Sequence, residues 1–154
     1  MEEILFTEKP VIDDIKRIDF TMVKLKLGDA DEGQGWTEEE CEIAEEEYIK
    51  FLALKRAYPE TDIVPNKIVD IFWHQHILDT RKYAEDCDTI FGYFVHHYPY
   101  FGMNGPTDAQ NLVDAFEETK QLYRLHFKTD YASQSSKCKS TPRCRTQCKP
   151  MKCR

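Results

Sequence analysis

The chain has 154 residues, 41% of them hydrophobic and 12% aromatic, enough apolar matter for one core and short for two domains. Its net charge of −7 is unevenly spread: residues 131–154 hold seven of the 21 lysines and arginines and no acid, which leaves 14 cations against 28 acids in residues 1–130, a net −14. An acidic body of this kind excludes a general nucleic-acid platform, which needs clustered cations to neutralise phosphates.

No apolar run approaches the roughly 20 residues of a membrane-spanning helix. Residues 1–9 lack the basic start and apolar stretch of a signal peptide. No membrane association and an intracellular, cytoplasmic setting are therefore expected.

In chain order, Thr7 is placed to cap a first helix, whose apolar positions Val11, Ile12, Ile15, Ile18, Met22, Val23 and Leu25 recur at helical spacing up to Gly28. Residues 28–35 are a glycine- and acid-rich linker that lacks the spacing and terminal glutamate of a calcium loop. Thr37 with Glu40 forms a capping box for a second helix that ends before Pro59, and its Glu45–Glu46–Glu47 run reads as a solvated face. Pro65 opens a third helix, residues 66–87, whose apolar residues cover more than one face and mark it as central.

A fourth helix is expected over residues 88–98, with Ile90, Phe91, Phe94 and Tyr98 as its inward arc, and a turn-rich segment follows from Pro99. Thr107 with Gln110 forms a second capping box and leads a fifth helix to Phe127. Nothing reads as a strand pair. The expected fold is all-α: a compact bundle of about five helices over residues 1–130, followed by a basic, cysteine-rich tail, residues 131–154, too polar to stay ordered without a ligand.

Four of the five histidines, His74, His76, His96 and His97, lie within 24 residues. Imidazole is the commonest transition-metal ligand, and helices of a bundle can bring such ligands together. His74 and His76 project about 200° apart on a regular helix and cannot chelate one ion between them. His74 shares a face with Asp70, one turn earlier. His76 lies on the apolar stripe of Phe72, Thr80, Tyr83 and Cys87, as a ligand or as a hydrogen-bonded core histidine. On the expected fourth helix His97 sits at the edge of the apolar arc and His96 nearer solvent. Spacing therefore favours His76 and His97 as inward residues, whereas ligand chemistry favours Asp70 with His74. The sequence has neither the glutamate and Glu-x-x-His pairs of a ferritin-like di-iron bundle nor the His-Glu-x-x-His of a metalloprotease.

The runs Ile63-Val64-Pro65, Trp73-His74-Gln75-His76-Ile77-Leu78-Asp79-Thr80 and His96-His97-Tyr98-Pro99 resemble the signature of the glycine-rich domain-containing protein-like family, over roughly residues 40–127. The resemblance implies a helical domain with a polar site at Asp70, His74 and His97, and it supplies no reaction. Plant relatives of that kind carry a glycine-rich region discussed with RNA binding, which this chain, with six glycines, lacks. The resemblance selects His74 and His97 as the functional core and Asp70 as ligand or orienting carboxylate, with His76 and His96 as secondary candidates.

The tail holds Cys138, Cys144, Cys148 and Cys153, each beside a lysine or arginine. Adjacent cations favour the thiolate, the form that binds metal or attacks disulfides. These thiols suit zinc or copper(I), without the Cys-x2-Cys spacing of zinc knuckles. The reading is a metal-binding helical domain, for zinc, copper or iron, with a thiol-rich tail for metal or redox chemistry. Its rivals are a module whose basic tail binds an acidic protein or nucleic acid, and a metal-dependent enzyme of unknown reaction.

Overall fold

Five α-helices and one 3-10 turn, with no strand, make up residues 10–131, the part of the chain that a computed structural model describes. Thr7 and the tail cysteines Cys138, Cys144, Cys148 and Cys153 lie outside the described residues, and with them the expectation of a disordered tail.

The expected first helix is two pieces: the 3-10 turn Ile15–Arg17 and helix α1, Thr21–Gly28. Ile15 and Phe20 are both fully buried, and a continuous helix would set them about 140° apart. The chain instead extends at Ile18, and the Asp19 carboxylate accepts from the Thr21 amide at 2.9 Å to restart the helix. The Arg56 guanidinium holds this entry strap against the bundle, donating to both Asp14 oxygens at 2.6 and 3.0 Å and to the Val11 carbonyl at 2.8 Å. After α1 the loop turns back on itself at Gly33, where a Cβ would lie 1.8 Å from the Lys26 carbonyl oxygen, so only glycine fits.

Helix α2, Glu38–Ala57, begins with the expected capping box: the Thr37 hydroxyl accepts from the Glu40 amide at 3.2 Å, and the Glu40 carboxylate accepts from the Thr37 amide at 2.8 Å. Its glutamate run is not one solvated face. Glu46 is exposed, Glu45 pairs with Lys24 at 2.6 Å, and Glu47 is buried, accepting a hydrogen bond from the Tyr123 hydroxyl with Lys50 at 3.3 Å.

The long third helix is also divided, into α3, Lys67–Leu78, and α4, Thr80–Phe91. Asp79 leaves the helical region and its carboxylate accepts from the Lys82 amide at 3.4 Å, capping α4. The break lets α4 fold back on α3, so that His76 reaches Asp86 at 2.7 Å and the Trp73 indole N–H reaches the Tyr83 hydroxyl at 3.0 Å. An unbroken helix would hold positions 76 and 86 about 15 Å apart. Helix α4 stops at Gly92, in the left-handed conformation at φ 76°. The expected fourth helix over 88–98 therefore does not form beyond Phe91: residues 93–98 are irregular, and Phe94 and Tyr98 are exposed instead of forming an inward arc.

Helix α5, Pro106–Phe127, starts with Gly105 as its cap and Pro106 in its first turn, so Thr107 is not the N-cap. The Asp108 carboxylate accepts from the Gly102 and Asn104 amides at 2.7 and 3.1 Å and ties the preceding turn to the helix. Helices α2 and α3 form the centre, α1 packs on both, α4 packs on α3, and α5 packs on α2. No helix of the described residues is long and apolar enough to cross a membrane.

Candidate metal centre

Asp70 and His74 stand one turn apart on α3, and the irregular segment after Gly92 carries His97 onto the same face. The His97 Nε2 lies 2.8 Å from the His74 Nε2 and 3.3 Å from the Asp70 Oδ1, and the His74 Nε2 lies 3.4 Å from that oxygen. For a triangle with these edges, the point equidistant from its corners is about 1.8 Å from each; an ion at the roughly 2.0–2.2 Å usual for zinc bound to imidazole and carboxylate would sit just off that plane. Among the described residues this is the group of histidine, cysteine and acidic side chains whose donor atoms come close enough to hold an ion.

The three side chains differ in exposure: Asp70 and His97 are 7% and 8% exposed, and His74 is 40% exposed. One edge of the cluster thus opens to solvent while the carboxylate is enclosed. Burial is the largest influence on His74 and lowers its pKa; the Asp70 charge raises it and His97 lowers it further. The net effect favours neutral imidazole, the form that ligates metals. The His97 ring lies on the Trp73 indole, with centroids 4.2 Å apart and planes 16° from parallel. Its Nδ1 is buried without a hydrogen-bond partner. The stacked indole therefore does the orienting that a hydrogen bond to the remote nitrogen commonly does for metal-bound histidines.

The other candidates lie elsewhere. His76 is buried on the opposite side of α3, between the Tyr48 hydroxyl at 2.7 Å on Nδ1 and the Asp86 carboxylate at 2.7 Å on Nε2. Burial, its largest influence, lowers the His76 pKa against the pull of Asp86. Neutral His76 then donates from Nε2 to Asp86 and accepts the Tyr48 proton at Nδ1. Both nitrogens are committed, so His76 is a core histidine. His96 is exposed and contacts the Phe94 ring. The fifth histidine, His126 on α5, pairs with the Tyr58 hydroxyl.

Sequence reasoning missed the Tyr48–His76–Asp86 network and the Trp73 platform. Asp86 meets His76 only because the helix breaks at Asp79, and the one local sign of that break is an aspartate in a capping position. Cys41 and Cys87 are free and buried, and burial raises the pKa of both thiols, which suits packing more than nucleophilic chemistry.

A family model described as UCP032817-like matches residues 15–130. The resemblance to the glycine-rich domain-containing protein-like family is thereby corrected, because the match assigns residues 15–130 to a different family and nothing indicates a glycine-rich one. No curated protein and no solved structure matches the chain.

Proposed function

The chain belongs to the UCP032817-like family, and we propose that it is a metal-binding member in which Asp70, His74 and His97 hold one transition-metal ion. The observation that carries this reading is the convergence of two imidazole nitrogens and one carboxylate oxygen within 3.4 Å of one another. Three acceptor-capable atoms crowd together at little cost only when a cation, or a proton on one of the imidazoles, lies between them. Two nitrogens and an oxygen suit zinc or iron(II) better than soft copper(I). The solvent-facing edge at His74 gives the ion a route in.

Three protein ligands leave at least one coordination position free. That feature favours a second reading, a metal-dependent enzyme in which a bound water or substrate oxygen takes the free position.

Zinc binding by the full-length chain with Cys138, Cys144, Cys148 and Cys153 replaced by serine tests the proposal, because no tail thiol then contributes. One equivalent of zinc is expected by calorimetry and elemental analysis. His74→Ala and Asp70→Asn should each abolish stoichiometric binding while the helical circular dichroism is retained. A chain that takes up no stoichiometric zinc, copper, iron or manganese would leave these side chains as a hydrogen-bonded polar cluster.

A further inference from the structure

The candidate metal centre takes its third side chain from a segment without regular structure. Residues 93–98 are neither helix nor strand, and a ligand on such backbone keeps its place only when other groups fix it. Asp70 and His74 have the helical frame of α3 for this purpose. His97 needs another.

One buried oxygen supplies it. The Tyr83 hydroxyl, carried on α4, donates to the Val95 carbonyl at 2.5 Å and accepts from the Trp73 indole N–H at 3.0 Å. Chemistry fixes both directions, because an indole nitrogen only donates and a carbonyl only accepts. Val95 lies two residues before His97, and Trp73 is the ring on which His97 stacks, with centroids 4.2 Å apart. The same oxygen thus sets the height of the backbone that carries His97 and the plane on which its imidazole rests.

The surroundings of this hydroxyl make its bonds firm. Tyr83, Trp73 and Val95 are all buried, so water does not compete for them. Burial, its largest influence, raises the Tyr83 pKa, so the hydroxyl keeps the proton that the Val95 carbonyl accepts. The Phe94 ring packs edge-on against the Tyr83 ring, with centroids 5.2 Å apart, and two successive residues of the segment are thereby seated on one side chain of α4.

We infer that Tyr83 is the positioning residue of the metal centre: through Val95 and Trp73 its hydroxyl holds His97 where the Nε2 meets His74 and Asp70. This rests on the metal-site reading above. Tyr83 supplies no ligand atom and acts through these two residues alone. Loss of its hydroxyl leaves all three ligands present and frees the segment that carries His97, so the cost falls on metal affinity, in the range of about 10–100-fold usual for groups that orient a ligand.

Zinc affinity of the full-length chain with the four tail cysteines replaced by serine is the test, measured by competition with a chelator. In that parent, Tyr83→Phe should bind one equivalent of zinc about 10–100-fold more weakly. Tyr48→Phe, which removes a buried hydroxyl from the His76 network on the opposite side of α3, should bind zinc as the parent does. General loosening of the fold would weaken both variants alike, whereas positioning weakens only the first. The parent gives a second readout that needs no variant at position 83. Because coupling is reciprocal, zinc should slow deuterium exchange of the Trp73 indole N–H by about tenfold or more; with two tryptophans in the chain, Trp36→Phe identifies that resonance. Parent-like affinity in Tyr83→Phe, an equal loss in Tyr48→Phe, or an indole exchange rate that zinc leaves unchanged would overturn the inference and leave the three-residue site standing. A parent that takes up no zinc, copper, iron or manganese would remove the site and the inference together.

Discussion

His76 and His97 are both held inside, by different means. His76 has a partner on each nitrogen, Asp86 and Tyr48, and burial holds the Tyr48 hydroxyl far above its usual pKa, so it stays protonated and acts as a donor. His97 has ring stacking on Trp73, two site atoms at Nε2 and an unpartnered Nδ1. A saturated imidazole belongs to the core, whereas the His97 Nε2 faces the His74 nitrogen and the Asp70 oxygen, the arrangement on which the metal-site proposal rests. Tyr48→Phe should therefore leave the His76 Nδ1 buried without its donor and destabilise the fold by about 1–3 kcal/mol, measured by urea unfolding, without changing zinc affinity. A loss below about 0.5 kcal/mol would mean that another donor satisfies this nitrogen. The inward direction of His76 was legible in its apolar stripe, but its saturation was not, because the residues that saturate it come from α2 and α4.

At the scale of elements, local signals succeeded where the stop or start was written in neighbouring residues. The α2 capping box is one such case: Thr37→Ala should cost about 1 kcal/mol, seen as a lower thermal midpoint, and an unchanged midpoint would show that the first turn of α2 is held by packing alone. Pro59 likewise lies just past the end of α2, whereas the expected Thr107–Gln110 box does not start α5, which Gly105 caps with Pro106 in its first turn. The failures have a common cause. Residues 66–87 carry helical periodicity throughout, and the kink at Asp79 appears only because α4 buries Tyr83, Asp86 and Cys87 by turning back on α3. Residues 93–98 have apolar side chains at helical spacing, but Gly92 ends the helix, so the pairing of His97 with His74 depends on an irregular segment.

Across the whole molecule the seat of Tyr131 matters most, because this residue, read as the first of the tail, is 2% exposed and spans the start of α3. Tyr131→Ala in the full-length chain should cost about 3–5 kcal/mol, the usual penalty for truncating a buried aromatic. A chain ending at Asp130 should likewise unfold below one ending at Tyr131. Equal stabilities would mean that the buried seat of this ring contributes nothing. The sequence by itself determined that the body is all-helical, that Thr37 and Glu40 start α2, that acid and base are segregated along the chain, and that histidine is concentrated in one short stretch. These follow from periodicity, capping and composition, which act over a few residues. Only the tertiary structure decided which histidines meet. It broke two expected helices, paired His76 with Tyr48 and Asp86, laid His97 on Trp73 and brought it to Asp70 and His74. Each of these contacts joins residues 10 to 28 positions apart or sits across a chain reversal, where burial of the core, and no local propensity, sets the geometry.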